Sequence, residues 1–431
     1  MLLDLHPVVG RVQKFWSRIG SMKIVVLSDL HAFCSDARKA SDGKASLPPS
    51  LIDFSASTRK PNIDPLVGFI KLFERGEIEH PDLLIVGGDL GDKADAHAIQ
   101  STWRELSSLT DKNPATKLIA TCGNHDLDTR HKQNKFDPRG FLRTLEPGFP
   151  FPNTVEHKIN LLEYWANHFS VLESDQYRVL NINSCAFHGF GTDAEPELEH
   201  GRISDITLDG IEECIKTTVQ AAPHKQNICL FHHHIRPVST DSFDDKSTMK
   251  GSERLASMLS KPQLGEWFII HGHRHRSNLF CAGGNSAPIV LSCASFAATR
   301  IGDEHNPSPN QFYDIELEEV GVGQVARVAG SIRAWNWTPS IGWQSKTSIP
   351  GGLPVVSGFG YRGYIPDLAK SIGAVIKSSG KVVWGDLVNG FPDLRRLMPS
   401  DNEFLIKSLE MIGVVATEGD GQIRELAQKN A

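Results

Sequence analysis

The stretch MKIVVLSDLH (Met22–His31) decides how this chain is read. Its apolar run, Ile24 to Leu27, is mostly β-branched and switches abruptly at Ser28 into Asp29-Leu30-His31. A short continuous apolar run closed by polar residues suits a strand buried on both faces. The same switch recurs down the chain. LLIVG (83–87) leads into Gly88-Asp89-Leu90-Gly91-Asp92, and KLIATC (117–122) into Gly123-Asn124-His125-Asp126. NICLF (227–231) leads into His232-His233-His234, and WFII (267–270) into His271-Gly272-His273-Arg274-His275. RVLNINS (178–184) reads as a further strand. Between these runs lie helical stretches at 96–108, 155–172 and 211–222, and one opened by Asp64-Pro65, a cap followed by proline, that runs to Arg75. Strand–helix alternation predicts a layered α/β fold with a largely parallel or mixed sheet. Each polar switch falls at a strand's C-terminal end, the edge where ligands bind in such sheets. Residues as distant as Asp29 and His275 are therefore expected to converge.

Phosphate esters resist hydrolysis because water is a poor nucleophile and the phosphorus is shielded by negative charge. A pair of divalent cations about 3.5–4 Å apart answers both problems. Such a site needs a bridging carboxylate and further O and N donors, which Asp, His and Asn supply for Zn, Mn or Fe. The chain offers that set in order: Asp29 and His31, Asp89, Asn124, His232, then His273 and His275. Singly, each is explained by turn chemistry at a strand end; together, five strand-end elements in this order point to a metal site.

SDLH, GGDLGD, GNHD, the His-rich strand end and GHRH resemble the five signature blocks of the calcineurin-like metallophosphoesterase superfamily. They look most like those of class III cyclic-nucleotide and glycerophosphodiester phosphodiesterases. The resemblance implies a four-layer α/β/β/α sandwich with mixed sheets; it does not cover the small C-terminal extension. It implies that Asp29, His31 and His275 hold one metal, that Asn124, His232 and His273 hold the other, and that Asp89 bridges both. It makes His125 a residue over the substrate, stabilising phosphoryl charge or protonating the leaving oxygen, and Asp92 the carboxylate that orients it. The fourth block, FHHHIRP, departs from the commoner His-His-Pro-Pro form, so His232 and His233 compete for the ligand role; His271 reads as structural. Asp126 reads either as a partner of the site or as a cap.

The activity so implied is hydrolysis of a phosphoester, a diester before a monoester, by a hydroxide bridging two divalent metals (Mn, Fe or Zn), without a covalent enzyme intermediate. The substrate is then a small-molecule or nucleotide phosphoester. A phosphomonoesterase or a nuclease would use the same site. A reading from another class, a metal-binding scaffold docking a partner through the extension, has every ligand position and His125 against it. The formal net charge of −6 speaks against coating a nucleic-acid backbone. Seven scattered cysteines without a CxxC pair suit reduced thiols and a cytoplasmic setting, with Cys122 packed as a small side chain. No apolar run is long enough for a transmembrane helix. The chain divides into a leader (1–21), a catalytic domain (22–345) and an extension (346–431) whose Leu, Ile and Val suggest a small packed element. The leader contains a helix-like apolar face, and Met22 is a candidate start. Residues 127–153 form a long basic loop in which Arg130 is a candidate phosphate contact. Trp335, Trp337 and Trp343 read as packing residues before base-stacking ones.

Overall fold

The computed structural model describes residues 21–35, 48–152, 157–191, 197–198, 200–237, 247–283, 287–299, 308–318, 325–419 and 422–429. The proposed leader, apart from Ser21, lies outside them. In chain order the elements are β1 (Ser21–Leu27), α1 (Pro65–Glu74), β2 (Leu83–Val86), α2 (Ala96–Asp111), β3 (Lys117–Ala120), α3 (Lys158–Ala166), β4 (Phe169–Glu173), β5 (Tyr177–Ile182) and α4 (Asp205–Ala221). Then come β6 (Gln226–Leu230), α5 (Ser252–Leu259), β7 (Trp267–His271), β8 (Asn278–Cys281), β9 (Ile289–Ser292), β10 (Gln311–Glu318), β11 (Gly330–Thr338), β12 (Gly342–Gln344) and β13 (Val356–Phe359). The chain closes with α6 (Ile365–Ser379), β14 (Lys381–Val383), α7 (Trp384–Gly390), α8 (Pro399–Met411), β15 (Val414–Gly419) and β16 (Gln422–Gln428).

Two mixed sheets carry the site. The first runs β12-β11-β10-β1-β2-β3, with β13 also on β11; β1, β2 and β3 are parallel, and β10 and β11 antiparallel. The second runs β4-β5-β6-β7-β9-β8, parallel through its centre with antiparallel edges at β4 and β8. The two-residue period of a strand sorts side chains to opposite faces. In β6, Ile228 and Leu230 join the core shared with the first sheet, while Cys229 faces a second core. In β7, Phe268 and Ile270 take the shared side and Trp267 and Ile269 the other. That second core is closed by α4 and α5 through Ile211, Ile215 and Leu255. On the first sheet, α1 and α2 contribute Leu66, Phe69 and Trp103 to the large core. The expected four layers are present, and both central strand sets are buried on each face.

Local chemistry explains where elements begin. The Asp64 carboxylate accepts from Leu66 N (2.9 Å) and Val67 N (3.1 Å), satisfying two orphan donors of α1. Phe69 meets Phe296 and Phe312 edge-on, and its full burial contributes about 1.5–3 kcal/mol. Helix α4 starts at Asp205, six residues before the expected 211, because Ser204 Oγ caps it by accepting from Thr207 N (3.2 Å). The helix expected over 155–172 is shorter. Residues 153–156 lie outside the described set, α3 ends at Ala166, and His168 takes a left-handed backbone (φ 65°). Phe169 onward then pairs with β5, so tertiary pairing overrides the helical pattern.

Val356–Phe359 belongs by sequence to the extension, yet it hydrogen-bonds β11 and completes the first sheet. Past it, a separate core forms from Ile372, Ile376, Leu405, Leu409 and Leu426 among others. The order α6, β14, α7, α8, β15, β16, with its sheet β14-β16-β15, is a winged helix-turn-helix arrangement. Arg396 Nε pairs with Glu318 Oε1 (2.8 Å), and Arg362 reaches Cys281 Sγ and Ala287 O (each 2.9 Å), fastening this unit to both sheets. The tryptophans pack: Trp335 stacks on Phe312, and Trp343 Nε1 donates to Pro65 O (2.8 Å). Among the described residues, no helix is long and apolar enough to cross a membrane.

Candidate metal centre

Five strands deliver the predicted residues to one edge of the sandwich. Asp29 and His31 follow β1, Asp89 follows β2, Asn124 follows β3, His232 follows β6, and His273 and His275 follow β7. The chain turns sharply after β1, β2 and β7. Asp29 (φ 56°), His31 (50°), Asp89 (55°), His273 (84°) and His275 (57°) all adopt left-handed backbone, which costs a non-glycine residue about 1–2 kcal/mol. Two glycines make room for these turns. A Cβ on Gly123 would overlap Asp89 Oδ1 and the Asp89 backbone nitrogen; one on Gly272 would overlap Ser28 Oγ and Asp29 Oδ2.

The donors fall into two groups joined by one carboxylate. His275 Nε2 lies 2.9 Å from His31 Nε2 and 3.4 Å from Asp29 Oδ1. Asn124 Oδ1 lies 3.2 Å from His232 Nε2 and 3.0 Å from His273 Nδ1. Between them, Asp89 Oδ2 is 3.5 Å from His31 Nε2 and 3.3 Å from His232 Nε2. Asp29, Asp89 and His232 are fully or almost fully buried. Of the two competing histidines, His232 reaches Asp89 and Asn124. His233 turns to Ser184 Oγ (2.9 Å). His271 stacks on Phe231, outside both groups.

The electrostatics ask for cations. Burial opposes charge on Asp89, but His232 and His125 outweigh it and hold the carboxyl well below the ordinary range. Burial likewise opposes charge on His232, yet Asp89 and Asp29 push its pKa up to about 10 without metal. A buried carboxylate pair that draws a proton onto an imidazole is a set that divalent ions fit, by charge and by donor type.

His125 stands at the rim, its side chain 34% exposed, with Nδ1 2.8 Å from Asp92 Oδ1. Burial disfavours its charge, but the Asp89 and Asp92 carboxylates prevail and raise its pKa. Asp126 accepts from Asp89 N, Gly91 N and Gly123 N (2.9–3.1 Å), clamping the second and third motifs together. Burial beside Asp89 pushes its pKa up to about 7.

Three serines support the ligands. Ser28 Oγ donates to Asp29 Oδ2 (2.6 Å), Ser295 Oγ to Asp29 O (2.6 Å) and Ser308 Oγ to His275 O (2.6 Å). Serines in SCASF and NPSPN carry no pattern that assigns them. Cys122 is buried, its Sγ donating to Asn183 Oδ1 (2.9 Å). The basic loop is ordered by Asp128, which accepts from the backbones of Lys132, Gln133 and Asn134, and Gln133 Nε2 ties it to Ala94 O (2.7 Å). Arg130 stands exposed on that loop.

The profile described as calcineurin-like phosphoesterase matches residues 22–277, more than half the chain and every residue of this centre. The chain belongs to the calcineurin-like phosphoesterase family. Phosphoester hydrolysis and a dimetal centre are the family's chemistry, and the Asp/His groups described above are of that kind. A second profile, wHTH-Calcineurin_assc, matches residues 357–411, within the C-terminal unit. No curated protein matches the chain. Solved structures with similar folds include a dimetal phosphatase from Danio rerio, 11% identical, covering 75% of this chain and 98% of that one, with a TM-score of 0.41. A purple acid phosphatase from yellow lupin seeds is 12% identical over 74% of this chain and 52% of its own, TM-score 0.43. The phosphopantetheinyl hydrolase of Mycobacterium tuberculosis is 14% identical over 64% and 90%, TM-score 0.29. The family assignment rests on the profile match alone.

Proposed function

We propose that this phosphoesterase acts on phosphodiesters, with a metal centre built from Asp29, His31 and His275 on one side and Asn124, His232 and His273 on the other. Asp89, whose Oδ2 lies between the two groups, would serve both. When bound, a pair of divalent cations would supply Lewis acidity, polarising phosphoryl oxygens and acidifying a bound water. The chain's own part is positioning and proton supply. Asp89 also accepts from His125 N (2.7 Å), which fixes the GNHD turn against the centre. Asp92 engages His125 Nδ1, leaving Nε2 as the nitrogen that hands a proton to the departing oxygen. The half-buried, charge-supported His125 at the rim beside Asp89 is the observation that carries this reading. An acid at that place serves the poor alkoxide leaving group of a diester, and the GNHD block resembles that of the phosphodiesterases.

The deciding experiment compares nitrophenyl phosphodiester and monoester turnover by the Mn-loaded full chain. Diester kcat/KM should exceed monoester kcat/KM, and both should vanish with chelator. Preference for the monoester would overturn the diester reading, and activity in excess chelator would overturn the metal centre.

A further inference from the structure

His233 was a rival for the dimetal centre, and its surroundings show a different setting. The turn after β5 runs Asn183-Ser184-Cys185-Ala186-Phe187-His188. Ala186 N donates to Asn183 O (3.2 Å) and His188 N to Cys185 O (3.0 Å), so residues three apart project to one side. Cys185, His188 and His233 each offer a donor atom, all within 4.8 Å of one another, and all three residues are at most 1% exposed. The ring centroids of His188 and His233 are 5.1 Å apart, and Cys185 Sγ is 3.9 Å from His233 Nδ1.

These polar atoms are poorly served by protein. His233 Nδ1 is held by Ser184 Oγ, but its Nε2 has no partner among the described residues. Neither ring nitrogen of His188 makes a full hydrogen bond there, although the His200 backbone lies against it. The Cys185 thiol donates to Cys122 O (3.2 Å). A buried unpaired donor or acceptor costs about 1–3 kcal/mol, so imidazoles left this way need an explanation. Gly201 gives the His233 side chain its clearance: a Cβ there would overlap the ring.

We propose that Cys185, His188 and His233 form a third, structural cation site for zinc or another thiophilic divalent metal, separate from the dimetal centre. A thiolate and two imidazoles are a zinc-type donor set. Tetrahedral bonds of about 2.3 Å to sulfur and 2.0–2.1 Å to nitrogen place donors about 3.4–3.6 Å apart, a few tenths of an ångström inside the 3.9 Å between Cys185 Sγ and His233 Nδ1, the ring nitrogen that would exchange its Ser184 Oγ contact for the metal. On binding, the Cys185 S–H bond breaks, the S–metal bond forms, and the proton leaves to solvent. The full burial of all three residues suits a metal that stays bound and pins the β5 turn and His233 behind His232 and His273.

The test loads the full chain with Co²⁺, removes free metal and measures both stoichiometry and the near-ultraviolet spectrum. Three equivalents should bind, with a thiolate-to-cobalt charge-transfer band. Cys185→Ser, which keeps the side chain's shape, should lose the band and about one equivalent, while folding is checked by circular dichroism. His188→Gln tests the same site from the other end of the turn and should also lose one equivalent. Two equivalents and no band in the unaltered chain would overturn the proposal without any variant. So would a band that survives Cys185→Ser. The readouts do not depend on which phosphoester is cleaved.

Discussion

Replacing Asp92 by Asn tests the proton supply most directly. The side chain is almost isosteric, lies 4% exposed and keeps an oxygen to face His125 Nδ1, so the geometry is preserved while the charge is lost. A hydrogen bond between charged partners contributes about 1.5–3 kcal/mol when buried. The His125 side chain is 34% exposed, so solvent screening reduces this to about 1–2 kcal/mol. At 1.36 kcal/mol per pKa unit, that is about one unit. Cations in the centre would neutralise much of the Asp89 charge, leaving Asp92 as the main support for protonated His125. The sign follows. His125 acts in its protonated form, its pKa is raised, and activity falls as pH rises through that raised value. In Asp92→Asn this basic limb should move down by about one pH unit, with a loss of about tenfold on the limb. The assay is the pH profile of kcat on a phosphodiester whose leaving group is an unactivated alcohol, which needs the acid, with released alcohol and metal content measured in parallel. An unmoved basic limb with metal retained would refute the reasoning.

Gly123→Ala should leave far-ultraviolet dichroism unchanged but lower turnover by about 10²-fold, because a Cβ displaces Asp89 and ångström-scale misplacement costs that much; full activity would show that Asp89 tolerates the shift. Ile372→Ala, at a fully buried position in the C-terminal core, should cost about 2–5 kcal/mol in urea unfolding of that unit while leaving diester hydrolysis intact; lost hydrolysis would mean the unit is needed by the centre. The winged helix should bind no duplex DNA at physiological salt. Its α8 exposes Glu403, Glu410, Phe404 (47%) and Met411 (76%) with Lys407 as the exposed cation, the opposite of a phosphate-binding face. Salt-dependent retardation of a duplex would contradict that.

The strand-end switches made the sandwich legible, because a strand buried on both faces leaves an unbroken apolar run that ends where the sheet ends. They could not show which neighbours a strand finds. Phe169–Glu173 lies in a helical pattern and becomes a strand only because β5 is beside it. Val356–Phe359 lies past an apparent boundary and returns to β11. The choice between His232 and His233 was open in the sequence for the same reason. Both follow β6, and only the approach of Asp89 from β2 separates the histidine at 3.3 Å from the one that turns to Ser184. The serines behind Asp29 and His275 were invisible because a hydroxyl-to-carbonyl bond imposes no spacing on sequence.

The left-handed turns at Asp29, His31, Asp89, His273 and His275 tie these threads together. Five such residues represent several kcal/mol of backbone strain, at about 1–2 kcal/mol each, collected along one edge. Ordinary strand ends do not concentrate strain in this way, and glycine would relieve it at each position. Asp and His are present instead, with glycines set where Asp29 and Asp89 need clearance. The side chains at those turns must therefore return more than the strain removes. Carboxylates and imidazoles crowded to 2.9–3.5 Å do so only when positive charge stands between them. Without metal, that charge is the proton that His232 holds up to a pKa of about 10. With metal, it would be the cation pair of the proposed centre.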